Sequence, residues 1–135
     1  MNFRVPNSTV EFEVPDDWWT SAGMGNFVPS LDHYTTKQSS CSEIVAVEEV
    51  EPPIREMGFR GRESVIAVLT MMRTGEELEP IEVWSRGKTR TEKYVVRHGY
   101  HRFYLSIAIG YPKLPIKVDD CVLAEFLEKE RKEEI

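Results

Sequence analysis

The hydrophobic and polar positions of the chain fall into stretches of different period, and each period predicts an element. The fullest pattern lies at residues 95–118, VVRHGYHRFYLSIAIGYPKLPIKV. An apolar run stops at Arg97-His98-Gly99, polar Tyr100-His101-Arg102 follows, and residues 103–109 are then almost unbroken in hydrophobicity. This reads as strand, tight turn and buried helix. Gly110 suits the helix C-cap, Pro112 prevents continuation, and residues 114–118 resume an extended pattern. In residues 62–73, Val65, Ile66, Val68, Leu69 and Met72 recur at helical spacing, which predicts a helix with one face inward that stops at Gly75. The compact apolar run 44–47 suits a buried strand, and Pro52-Pro53 end any ladder after it. Residues 80–84 and 92–97 read as two strands of a β-hairpin that turns at Arg86-Gly87-Lys88.

The ends are less periodic. Residues 9–14 alternate as a short strand would, and Pro15-Asp16-Asp17 opens a helical turn. At least one of Trp18 and Trp19 is expected to pack onto the domain, because two exposed indoles would leave an apolar patch. Residues 21–42 carry Gly23, Gly25 and Pro29 with little period, which predicts a loop wrapping the domain. At the other end, Val122, Leu123, Phe126 and Leu127 share one side of an amphipathic helix predicted over residues 119–135. The chain thus divides into an N-terminal extension, 1–43, and an α+β domain, 44–135, a small mixed β-sheet flanked by helices. Its 135 residues are enough for one domain that buries its own core.

Composition narrows the partners. A net charge of −6 argues against a general nucleic-acid binder, since duplex phosphates are held mainly by accumulated Lys and Arg. Cationic Arg86, Lys88, Arg90, Lys93, Arg97 and Arg102 nevertheless gather in one stretch with a single acid, Glu92, which fits a local site for a small anion or, for all but Arg102 equally, a solvated hairpin with basic edge residues. The apolar runs are too short for a membrane span and the first residues do not resemble a signal peptide, so the expected location is the cytoplasm. Cys41 and Cys121 match no metal-ligand spacing and read as free thiols.

The candidate chemistry sits at the turn before the buried helix. Gly99 lets the backbone approach a ligand, the free amides opening the helix favour an anion, and His101 and Arg102 supply donors beside them. Gly87-Lys88-Thr89 is not a P-loop, since Glu82 stands where that motif needs glycine.

Taken in order, Glu51-Pro52-Pro53-Ile54-Arg55, Pro80-Ile81-Glu82-Val83, Gly99-Tyr100-His101-Arg102 and Leu114-Pro115-Ile116-Lys117-Val118 resemble the ParB/sulfiredoxin superfamily over residues 44–118. The resemblance implies a small α+β domain that binds nucleotide phosphates through Gly99, Tyr100, His101 and Arg102. It adds Arg62, Ser64 and Thr70 on the preceding helix, with Thr70 best placed, and Arg55 after the prolines. Family kinases use a carboxylate near the first strand, where Glu48, Glu49 and Glu51 are the candidates. The implied ligand is ATP, CTP or ADP, in a binding domain, nucleotide hydrolase or phosphotransferase; phosphoryl chemistry alone, not the resemblance, adds Mg²⁺ bridging phosphates to a carboxylate.

Two alternatives remain. One is a metal-dependent nuclease of the ParB-like type, disfavoured by the net charge and by the lack of a tight acidic cluster. The other is a non-catalytic interaction module that meets a protein partner through the N-terminal extension or the C-terminal helix. Chromosome-partition proteins of the superfamily carry a helix-turn-helix downstream, for which the seventeen residues after Val118 leave no room, so centromere binding is not expected. In sulfiredoxins the residue between the glycine and the histidine is the reacting cysteine, and here it is Tyr100, which forms no thiol-linked intermediate. The expected outcome of incubating the protein with a sulfinylated peroxiredoxin, ATP and thiol is therefore no loss of sulfinic acid by mass spectrometry; robust repair would overturn it.

Overall fold

The computed structural model describes residues 1–37, 43–53, 59, 61–86 and 92–118. In chain order the elements are β1 (Asn2–Arg4), β2 (Glu11–Glu13), α1 (Asp16–Ser21), β3 (Glu43–Ala46), a 3-10 turn (Val47–Glu49), β4 (Val50–Glu51), α2 (Arg62–Thr74), β5 (Ile81–Ser85), β6 (Tyr94–His98), α3 (Tyr100–Ile109) and β7 (Lys113–Val118). The protein is α+β, with a two-stranded sheet of β1 and β2 and a five-stranded sheet in the order β3-β7-β5-β6-β4.

The five-stranded sheet is mixed. β3 runs antiparallel to β7, β7 parallel to β5, β5 antiparallel to β6, and β6 parallel to β4. Its two edge strands, β3 and β4, are joined only by the three-residue 3-10 turn. Five strands laid flat would hold those edges about 19 Å apart, more than three residues in 3-10 geometry cover, so the sheet curls until its edges approach. Polar contacts close the curl: the Tyr94 hydroxyl on β6 donates to Glu43 Oε2 on β3 at 2.8 Å, and Lys93 N–H donates to Glu49 O at 2.8 Å.

Alternation along the strands sorts the two faces. Val45, Val50, Ile81, Val83, Val96, Leu114 and Ile116 are buried, whereas Lys113, Lys117 and Arg97 on the intervening positions are exposed. Val65, Leu69 and Met72 from α2 and Phe103 and Leu105 from α3 join the same buried cluster. Both helices stop as the sequence predicts, at Gly75 and Gly110 in left-handed geometry. Pro115 is tolerated within β7 because the pairing with β5 begins one residue later, at Ile81↔Ile116.

The first residues share this core. Asp16 and Asp17 start α1 after Pro15, where acids complement the helix dipole. Phe3 and Phe12 face each other across the β1–β2 pair with ring centroids 5.4 Å apart, and Trp18 and Trp19 are half-buried against the core. β1 and β4 were not predicted: at three and two residues they are too short to show a period. Residues 22–37 run without helix or named strand, and their one bridge, Thr36↔Leu78, ties them to the approach to β5. The hairpin tip at 87–91, both cysteines and the predicted helix at 119–135 lie outside the described residues. No helix among the described residues is long and apolar enough to cross a membrane.

The Tyr94–Glu43 contact gives the curl a signature in alkali. Burial first, then the bond to Glu43 and the charges of Glu43 and Glu49, push the Tyr94 phenol up to about 12. A raised folded pKa favours the fold while the phenol stays protonated, so this contribution is complete below pH 10 and is lost as pH rises through about 12. Tyr94→Phe should lower stability in neutral urea melts by about 1 kcal/mol. It should also lose less stability than the wild type between pH 10 and 12; parallel alkaline limbs would refute the assignment.

Candidate anion site at the start of helix α3

β6 delivers the chain to Gly99, which turns it into α3 with φ +100°, a conformation that disfavours any side chain. The first intrahelical bond runs from Phe103 N–H to Gly99 O at 3.0 Å. The amides of Tyr100, His101 and Arg102 therefore lack intrahelical acceptors. No side chain caps them and no acid stands in the first turn. Such a helix start carries a partial positive charge that favours an anion.

Arg102 folds back over its own helix start. Its Nη1 donates to Glu79 O at 2.7 Å and to Pro80 O at 3.1 Å, the two carbonyls leading into β5. A Cβ on residue 99 would lie 2.8 Å from Nη2 and 3.1 Å from Cζ and Nε, so the guanidinium holds this placement without shifting only opposite glycine. Both carbonyl bonds leave from Nη1. Among the described residues, Nε and Nη2 have no acceptor. The guanidinium thus rests on two backbone carbonyls.

Aromatic rings flank the turn. His101 packs its ring 4.4 Å from Tyr100 and 5.5 Å from Phe59. Phe59 in turn touches Phe12 and Tyr104, and Phe12 touches Phe3. Burial pushes the Tyr104 phenol up, which keeps it neutral. Phe59 stands two residues before the Gly61 that opens α2, another helix start without a side-chain cap. The charges nearby are mostly cationic. The Lys37 ammonium, bonded to the exposed Glu79 carboxylate, holds its carboxyl below the usual range against the opposing effect of burial, and the charges of Arg102 and Lys117 add to the lowering.

The other predicted residues are brought to this turn unequally. Arg62, at the first position of α2, turns toward α1, with Nη2 3.0 Å from Ser21 Oγ and Nε 3.7 Å from Asp17. Ser64 is exposed in the same first turn. Thr70, expected to be best placed, lies about 12 Å further along the helix axis. Its hydroxyl donates to Ile66 O at 2.7 Å. Arg55 falls outside the described residues.

The three candidate acids sit on the 3-10 turn and β4. Glu49 is level with Lys93, which its carboxylate meets at 2.9 Å, and Glu51 is level with Val95 and paired to Arg86 at 3.0 Å. At the rise of a strand, Glu51 is about 13 Å and Glu49 about 20 Å from Gly99. Glu48 is exposed beside Glu49. The structure therefore groups Gly99, Tyr100, His101 and Arg102, and it does not bring Thr70, Glu48, Glu49 or Glu51 to them. Among the described residues no group of three His, Cys, Asp or Glu is placed to hold a metal ion.

The sequence reading missed Phe12, Phe59, Tyr34 and the Glu79 and Pro80 carbonyls. The aromatics lie in aperiodic or very short segments, and a backbone acceptor leaves no trace in sequence. No family model and no curated protein matches the chain.

Gly110 supplies a matched control for Gly99, since its φ is +102° and nothing lies within 4 Å of its would-be Cβ. Alanine at either position bears the left-handed strain of about 1–2 kcal/mol. Only Gly99→Ala also pushes on the guanidinium, so it should cost more in denaturant melts, by up to about 1.5–3 kcal/mol, the contribution of hydrogen bonds to a charged group. Equal costs at the two positions would show that the guanidinium yields to the methyl group without losing its bonds.

Proposed function

We propose that the chain binds the phosphates of a nucleotide, ATP, CTP or ADP, at the amino end of α3. One observation carries this reading: an uncapped helix start lies beside a guanidinium that is anchored through Nη1 and keeps its Nε and Nη2 donors for another acceptor. Phosphate oxygens would accept from the amides of residues 100–102 and from the Nε–Nη2 edge, a fork that suits two oxygens of one phosphate. The likeness of Gly99-Tyr100-His101-Arg102 and its three companion motifs to the ParB/sulfiredoxin superfamily supports the same assignment.

Mg²⁺ fits this reading as a companion of the nucleotide, because that ion is commonly held by substrate phosphates, water and one or two carboxylates. Of the three candidate acids, Glu51 stands on the strand that runs in the direction of the turn, parallel to β6. Mg²⁺ would screen phosphate charge there. The distances of Glu48 and Glu49 favour a binding role for this turn over phosphoryl transfer through those acids.

Arg102→Ala tests the proposal. Hydrogen bonds to charged groups contribute about 1.5–3 kcal/mol, so the variant should bind nucleotide roughly ten- to a hundredfold more weakly. Calorimetric titration with ATP and Mg²⁺, well below the melting temperature of the variant, reads the affinity, and a thermal melt reads the lost carbonyl bonds. A lower melting temperature with unchanged affinity would assign Arg102 to structure alone and remove the phosphate site.

A further inference from the structure

Residues 1–43 lie outside the stretch that resembles a nucleotide-binding family, yet one of them touches the machinery of the proposed site. Tyr34 is fully buried, and its hydroxyl donates to Glu79 O at 2.8 Å. The same oxygen accepts from Arg102 Nη1 at 2.7 Å. We propose that Tyr34 is a positioning residue for phosphate recognition: it fixes the Glu79–Pro80 peptide, the peptide fixes the Arg102 guanidinium, and the guanidinium presents its remaining edge to the phosphate. The inference rests on the nucleotide reading above.

The chemistry of that peptide makes the relay necessary. Its nitrogen belongs to Pro80 and carries no hydrogen, so the group can be held only through its oxygen. A carbonyl oxygen has two lone pairs, and Tyr34 and Arg102 each take a bond from it. Residues 34–37 hold the preceding stretch as well: Leu78 N–H donates to Thr35 O at 2.9 Å, and Thr36 Oγ1 and Lys37 N–H donate to Leu78 O at 2.9 and 3.2 Å. These bonds hold residue 78, whereas among residues 34–37 it is the Tyr34 bond that reaches a carbonyl seating Arg102. A guanidinium seated beforehand surrenders less side-chain freedom when a ligand arrives. The extension thereby contributes to affinity without touching the ligand.

Tyr34→Phe removes the hydroxyl and keeps the ring. In the ligand-free protein, nitrogen-15 NMR of the Arg102 Nε–H, assigned by its loss in Arg102→Lys, reports hindered rotation about the Nε–Cζ bond; Tyr34→Phe should speed that rotation severalfold. Titration with ATP and Mg²⁺ should show Tyr34→Phe weakening binding about three- to tenfold, with little further loss when it is added to Arg102→Lys, as coupled positions behave. Thr36→Val removes a neighbouring bond from the same segment and separates positioning from general loosening, so it should leave both readouts near wild type. Unchanged Arg102 rotation and unchanged ATP affinity in Tyr34→Phe would overturn the positioning role while leaving the nucleotide reading intact, and equal effects from Thr36→Val would overturn it too. A wild-type protein that binds none of ATP, CTP and ADP would overturn the nucleotide reading, and with it the purpose assigned to Tyr34, even if the rotation responds.

Discussion

The link of three residues between β3 and β4 is the constraint on which the rest of the architecture depends. Consecutive strands usually become neighbours in a sheet. Here they take the two opposite edges, with β7, β5 and β6 between them, and only a curled sheet lets so short a connection reach. Curling gives the sheet an inner side, and the small buried residues of the strands, Val45, Val50, Val83 and Val96, suit the concave surface. It also brings β6 within reach of β3, so that Tyr94 and Glu43 can bond across strands that are not neighbours in the ladder.

The turn at Gly99 depends on that framework. β6 is held by β5 on one side and by β4 on the other, which fixes where the strand ends and the helix begins. Pro80 and Glu79 precede β5, so their carbonyls lie beside the start of α3, where Arg102 can reach them. The aromatic rings of Phe12 on β2 and of Phe59 then cover the flank of α3 at Tyr104 and His101. Phosphate recognition at this place would therefore rest on contacts drawn from nearly the whole chain, although its donors come from three consecutive residues.

Much of this was legible in the sequence where the period was long. The apolar residues of α2 recur over 13 residues and the run within α3 over 10, and each helix ends at a glycine whose positive φ the structure shows. The β5–β6 pair was legible for the same reason, with its ends displaced by a residue or two. β1 and β4 were not, because three or two residues cannot display an alternation. At the site, Gly99, His101 and Arg102 were legible as a group because they are adjacent. The seat of Arg102 was not, because it consists of backbone oxygens, and the part of Tyr34 was hidden because the residue stands in a stretch without period. Thr70 misled because helical spacing from a later strand says nothing about where a hydroxyl bonds, and threonine within a helix readily bonds the carbonyl four residues back.

The fold-back of Arg102 over Gly99 makes the two positions depend on each other. A side chain at 99 would crowd Nη2, so the guanidinium keeps this placement undisturbed only opposite glycine. An exchange at 99 therefore meets backbone strain and a shifted arginine together, whereas an exchange at 102 clears the space but gives up both carbonyl bonds. Neither change is neutral alone, so the two residues behave as one unit under substitution.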